Sequence, residues 1–170
     1  GCVLKWRIMQ SQLFLSEVFT EPGGFTAGIE GPACDAEGTL YAVNYARERT
    51  IGRITPDGEC SVFVELPGGS IGNGIRFSSM GDMFIADYTE HNILKVDMRS
   101  RKVSVHAHEP TMHQPNDIAI GANDIVYASD PNWADDTGQM WRIGLDGTMT
   151  LLEADMGTTN GIEVDYGEGT

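Results

Sequence analysis

No run of apolar residues in this 170-residue sequence is long enough to span a bilayer as a helix. No apolar spacing near 3.6 residues is sustained over about twelve positions, which argues against long amphipathic helices. Positive charge is scarce: 11 Lys and Arg stand against 25 Asp and Glu, for a formal net charge of −14. Such a chain repels phosphate backbones and has few cations with which to release counterions, so no nucleic-acid partner is expected. Cysteine is sparse as well. Cys2, Cys34 and Cys60 form neither a CxxC pair nor a zinc spacing, and an odd set of three suggests no disulfide framework. A reducing compartment fits, and a cytoplasmic location is expected. There is no Gly-rich phosphate loop and no Gly-x-Ser-x-Gly elbow, so covalent catalysis by Ser or Cys has no support. The opening residues 1–8 lack the continuous apolar core of a secretory signal and fit no repeat. Met9 reads as a natural start, with 1–8 extraneous and 1–12 a leader outside the domain.

Glycine, by contrast, is abundant, and most of the 21 glycines sit in turn contexts such as Asp57-Gly58 and Asp146-Gly147. That favours many short strands. A repeat organises them. Glu30-Gly31-Pro32, Asn73-Gly74-Ile75 and Asn116-Asp117-Ile118 follow one another at intervals of 43 residues, and Asn160-Gly161-Ile162 comes 44 residues later. A second column, ending at Asn44, Asp87 and Asp130, has the same 43-residue period. Two columns in one register indicate stacked or radial repeats.

Within each unit the pattern reads as four short strands in an antiparallel meander. Strands are expected at 31–35, 40–44, 50–55 and 61–66, then at 74–78, 83–87, 92–97 and 102–107, and then at 117–121, 124–130, 139–145 and 149–153. Four-stranded units of this length are the blades of β-propellers, whereas most solenoid repeats of this length are helical. The expected fold is therefore all-β, a partial propeller over residues 13–170 with blade units at about 30–72, 73–115 and 116–159 and an incomplete unit at 160–170. A strand at 13–19 is expected ahead of the first unit, of the kind that completes the last blade in a closed ring. The sequence ends on Tyr166-Gly167-Glu168-Gly169-Thr170, which matches the turn Asp35-Ala36-Glu37-Gly38-Thr39 and reads as a chain cut inside a repeat. An unclosed ring exposes sheet edges, and both pairing with a second copy and aggregation are compatible with them.

Residues 30, 73, 116 and 160 each begin an inner strand, so a radial fold brings them to one mouth of the central tunnel. One carboxylate and three carboxamides offer only hard oxygen ligands, which suits calcium or magnesium. The alternative is that Asn-Gly and Asn-Asp simply form turns ahead of each strand. Glu30 weighs against a pure turn role, for which Asn, Asp or Gly would serve.

Ile29-Glu30-Gly31-Pro32, Gln114-Pro115-Asn116-Asp117, Tyr127-Ala128-Ser129-Asp130-Pro131 and Thr159-Asn160-Gly161-Ile162, in that order and at blade spacing, resemble the gluconolactonase, senescence marker protein (regucalcin) and luciferin-regenerating enzyme family. The resemblance runs from about residue 28 to 170. It implies a six-bladed propeller with one divalent metal in the central tunnel, hydrolysing a sugar lactone or a related cyclic ester. By the same resemblance Glu30, Asn116 and Asn160 are metal ligands, and Asn116 in some relatives holds substrate or water instead. Calcium is favoured, with zinc, manganese or magnesium compatible. The ligand Asp that also serves as general base is expected one blade later, beyond Thr170, so no catalytic base is assigned within these residues.

Other candidates carry two readings each. Asp130 could orient water or touch substrate, although Asp-Pro turn chemistry weighs the other way. Asn73 is substrate-proximal or structural. Trp133 lines the pocket or anchors a loop, and Trp141 packs between blades. Arg76 is expected to pair with an acid. His106 and His108 alternate as exposed positions of an outer strand, and with His113 they find no recurring partner for zinc. Two rival functions remain at this stage: a phosphotriesterase-like hydrolase on the same scaffold, and a propeller that serves only as an interaction platform.

Overall fold

A computed structural model describes residues 16–166. They form twelve strands and no helix: β1 (Ala33–Cys34), β2 (Leu40–Val43), β3 (Thr50–Ile54), β4 (Cys60–Glu65), β5 (Gly72–Phe77), β6 (Met83–Asp87), β7 (Asn92–Val96), β8 (Val103–His108), β9 (Ile118–Ile120), β10 (Val126–Asp130), β11 (Gln139–Ile143) and β12 (Met149–Glu153). The strands make three separate four-stranded sheets, β1 to β4, β5 to β8 and β9 to β12, each an antiparallel meander in chain order. All twelve strands lie where the repeat places them.

The core lies between sheets, and strand periodicity explains how one sheet serves two neighbours. Successive side chains of a strand point to opposite faces. In β6, Met83 and Ile85 face the first sheet and join Tyr41, Val43, Ile51 and Phe63. Phe84 and Ala86 face the third sheet and join Ile118, Val126, Trp141 and Ile143. The middle sheet is thus buried on both faces, and Met83, Ile85, Ile93, Leu94 and Val96 have no exposed surface. Each such side chain contributes about 2 kcal/mol when fully buried. The expectation that Trp141 packs between blades holds, since it is buried in the cluster between the second and third sheets.

The inner strands of the first and third sheets are shorter than the repeat suggested. In the first sheet only Ala33 and Cys34 pair with β2, because Pro32 has no N–H to give to a ladder. The expected strand at 13–19 is not seen where it can be judged. Residues 13–15 lie outside the described residues, and 16–19 are exposed and belong to no ladder. The Phe19 carbonyl rests instead against the turn at Gly58, where a Cβ would meet it at 2.6 Å. The inner strand expected from Gly161 is likewise in no ladder over 161–166. That segment is held by isolated contacts: Ile162 N donates to Asp117 Oδ2 at 3.2 Å, and the Tyr166 hydroxyl donates to the Ile120 carbonyl. The leader assigned to residues 1–12 lies outside the described residues.

Turns at the far end of the blades also link neighbours. Ser79, in the turn after β5, donates through its N–H and hydroxyl to the carboxylate of Asp124, in the turn after β9. These hydrogen bonds from Ser79, the side-chain one first, hold the Asp124 carboxyl below its ordinary range. A depressed carboxylate stabilises the fold above its unfolded value and loses that contribution as pH falls through its folded value. Urea titrations across the acid range should therefore show the wild type losing stability more steeply than Asp124→Asn below roughly pH 4. Parallel curves for the two proteins would mean that this link carries no pH dependence.

Candidate functional site

At or just past the end of the second strand in each sheet stands a buried polar side chain, and in each case it grips the segment leading into the inner strand. Asn44 donates to the Gly28 carbonyl at 2.9 Å and accepts from Arg49 N at 3.1 Å. Asp87, with no exposed surface, accepts from Ser70 Oγ at 2.6 Å, Ile71 N at 3.3 Å and Asn92 Nδ2 at 2.8 Å, and also from Thr89 and Glu90 in the following turn. Asp130, equally buried, accepts from His113 N at 2.8 Å, Gln114 N at 2.7 Å and Trp141 Nε1 at 3.2 Å. The gripped residues stand two or three positions ahead of Glu30, Asn73 and Asn116. This latch places the first column of the repeat. It also corrects one assignment: the carboxylate of Asp130 is spent on its own loop and on Trp141, so substrate contact is not assigned to it.

The column residues come side by side through their backbones. Gly31 has φ of +56°, and a Cβ there would lie 1.8 Å from the Asn73 carbonyl oxygen. Gly74 N donates to the Asn116 carbonyl at 2.8 Å, and a Cβ on Gly74 would lie 2.6 Å from Asp117 Oδ1. Glycine at 31 and 74 is therefore required by close approach of the neighbouring inner segment. The arc continues, since a Cβ on Gly161 would stand 4.0 Å from Asp117 Oδ2. Residues 30, 73, 116 and 160 thus follow one another around one end of the three sheets.

Asn73 and Asn116 line one small cavity of about 130 Å³ together with Tyr88, Gln114 and Trp133. Both asparagines are half-buried, and neither side chain makes a hydrogen bond among the described residues. Glu30 and Asn160 are exposed at the same end. Trp133, 51 % exposed, sits on the cavity wall, which resolves its two readings toward the pocket. Burial, assisted by the charges of Glu48 and Asp87, raises the Tyr88 phenol above its ordinary value, so it remains a hydrogen-bond donor at neutral pH. Sequence reasoning did not single out Tyr88 or Gln114 as site residues. The available signal was position, since Tyr88 follows the latch residue Asp87 and Gln114 precedes Asn116 by two.

Beside the cavity, Arg76 pairs with Asp117 at 3.4 Å and approaches Glu163 at 3.9 Å, as an acid-paired arginine was expected to do. His106 is half-buried rather than exposed, with Nε2 3.1 Å from the Gly144 carbonyl and its ring edge-on to Phe84. His108 is exposed, with Nδ1 2.8 Å from Asn92 Oδ1. No group of three or more His, Cys, Asp or Glu able to hold a metal occurs among the described residues. A donor set of one carboxylate with carboxamide oxygens is of a different kind, and its chemistry fits a hard cation.

The family model described as the SMP-30/Gluconolactonase/LRE-like region matches residues 28–169. The chain belongs to this family. It is 26% identical over 164 residues to a gluconolactonase of Zymomonas mobilis, covering 82% of this chain and 46% of that protein. Among solved structures it resembles a gluconolactonase from Xanthomonas campestris with a TM-score of 0.62 at 16% identity, covering 74% of this chain and 47% of that one. It also resembles regucalcin from Agrobacterium tumefaciens, described as a calcium-binding protein, with a TM-score of 0.59 at 22% identity and coverage of 75% and 43%. The chain therefore spans about half the length of these relatives. The three sheets are blades of a β-propeller, as these structures of the SMP-30/gluconolactonase family share their arrangement.

Latch and column should separate in mutagenesis. Asp87→Ala strands several buried donors and should cost about 3 kcal/mol in urea unfolding. Asn116→Ala removes a side chain with no internal partner and should change stability by less than about 0.5 kcal/mol. Equal losses for the two would show that the column also serves the fold.

Proposed function

We propose that this chain forms part of a metal-dependent hydrolase that opens a sugar lactone or related cyclic ester. The observation that carries the reading is the pair Asn73 and Asn116. Their carboxamides are half-buried on one cavity wall, free of internal partners, and flanked along the arc by Glu30 and Asn160. Half-buried amides left unengaged on the wall of a lined cavity are open to an external ligand. Membership of the gluconolactonase-like family supports the same reaction class.

Glu30, Asn116 and Asn160 are the residues that would hold the cation, with Glu30 supplying negative charge and the amides neutral oxygen. A divalent cation, calcium by this donor set, would supply Lewis acidity toward an ester carbonyl. The chain's own residues would do the binding and orientation. Asn73 and Gln114 offer donors and acceptors to sugar hydroxyls, and the Tyr88 phenol offers a donor. Trp133 offers an aromatic face to the C–H side of a sugar ring. Asp117, tied to Arg76 and to Ile162 N, holds the third inner strand and the segment after Asn160 together beside the cavity. The cavity lining contains no carboxylate, so no general base is assigned among its residues.

The test is hydrolysis by the full-length protein of a sugar δ-lactone and of an organophosphate triester, side by side, with calcium added or chelated. Lactone opening should dominate and depend on calcium. Glu30→Gln should lower the rate by at least about a hundredfold and weaken calcium uptake in calorimetry. An unchanged rate in Glu30→Gln would remove Glu30 from the site, and preference for the triester would favour the phosphotriesterase-like reading instead.

A further inference from the structure

At the end of the blades opposite the asparagine cavity, the chain concentrates part of its scarce positive charge. Arg53 on β3 and Arg99 and Arg101 in the turn between β7 and β8 line one cavity of about 340 Å³. They are three of only 11 Lys and Arg in a chain of formal charge −14. Electrostatics alone would scatter them among the acids. Yet among the described residues the cations with salt bridges are Arg47, Arg76 and Lys95, and the guanidiniums of Arg53, Arg99 and Arg101 make none.

The arrangement is also pre-set. Asp97 Oδ1 accepts from Ser100 N at 2.7 Å and Ser100 Oγ at 2.8 Å, and Arg101 N donates to the Asp97 carbonyl at 2.8 Å. These bonds fix a tight turn in which Arg101 adopts φ of +58°. Its guanidinium lies 5.0 Å from the centre of the Phe63 ring, a contact that orients the planar group. Arg53 stands opposite Tyr41 in the β2–β3 ladder, meets the Tyr41 hydroxyl and lines the same cavity as the turn arginines. Two carboxylates lie nearby. Asp97 is engaged with Ser100, and Asp35 is engaged with Glu37 N at 3.0 Å, Thr39 N at 2.9 Å and the Tyr41 hydroxyl at 3.2 Å. Asp97 Oδ1 and both oxygens of Asp35, which also lines the cavity, are thus engaged by neighbouring N–H and hydroxyl groups.

We propose that this cavity binds a small phosphate-bearing molecule, with Arg53, Arg99 and Arg101 as its oxyanion clamp. Guanidinium groups match phosphate oxygens in pairs, and three of them exceed what a monocarboxylate can use. The site lies apart from the lactone cavity, and nothing in its recognition depends on a metal.

Calorimetric titration of the full-length protein with inorganic phosphate at low ionic strength tests it. Saturable one-to-one binding is expected, weakened by at least about tenfold in Arg99→Ala/Arg101→Ala and in Arg53→Ala. Arg47→Ala, at the other end and paired with Glu65, should bind as the wild type does. Arg99 and Arg101 are exposed, so the double variant should melt like the wild type, and it decides the matter should Arg53→Ala lose stability. No saturable binding by the wild type, wild-type affinity in the double variant, or an equal loss in Arg47→Ala would each overturn the site. Acetate should bind at least about tenfold more weakly than phosphate, and equal affinity would overturn the phosphate assignment in favour of a carboxylate.

Discussion

The structure depends on a buried hydrogen bond repeated once per blade. Asn44, Asp87 and Asp130 close the second strand of their sheets, and each reaches sideways to the main chain that leads into the innermost strand. A buried carboxylate is tolerable only when its oxygens are satisfied, and here the satisfying groups are backbone N–H groups and neighbouring side chains. Scaffold and site are therefore not independent. The groups that lower the cost of burying Asp87 and Asp130 are the ones that hold Asn73 and Asn116 in place.

Burial on both faces gives the middle blade its character. Because Met83 and Ile85 serve one interface while Phe84 and Ala86 serve the other, the strand reads as nearly continuous apolar sequence and not as alternation. This is why the 43-residue register, rather than polarity, revealed the strands. The outer strands tell the opposite story: most of β12 is exposed, including Leu151 and Leu152.

Legibility followed the same division. Column spacing was readable because radial repeats must superpose, and it located residues 30, 73, 116 and 160 without any knowledge of contacts. The role of Asp130 was not readable, because apart from Trp141 its partners are main-chain N–H groups, which leave no mark on residue identity. Tyr88 and Gln114 were missed because they converge on the cavity from different blades, a relation that only three dimensions supply. Residues 16–19 and 161–166 were read as strand from local pattern, and among the described residues no other strand offers them a ladder. Pro32 shows the reverse case, where one missing N–H shortened β1 to two residues.

The contact of Gly31 with the Asn73 carbonyl, and of Gly74 with Asp117, has a consequence for selectivity. Neighbouring inner strands meet there backbone against backbone, with the Asp117 carboxylate also at the Gly74 contact. The spacing of the column residues is consequently a rigid gauge, set by peptide dimensions and not by rotamers. Under the proposed function, discrimination among ligands at this end of the blades then falls to the side chains lining the cavity, Trp133, Gln114 and Tyr88.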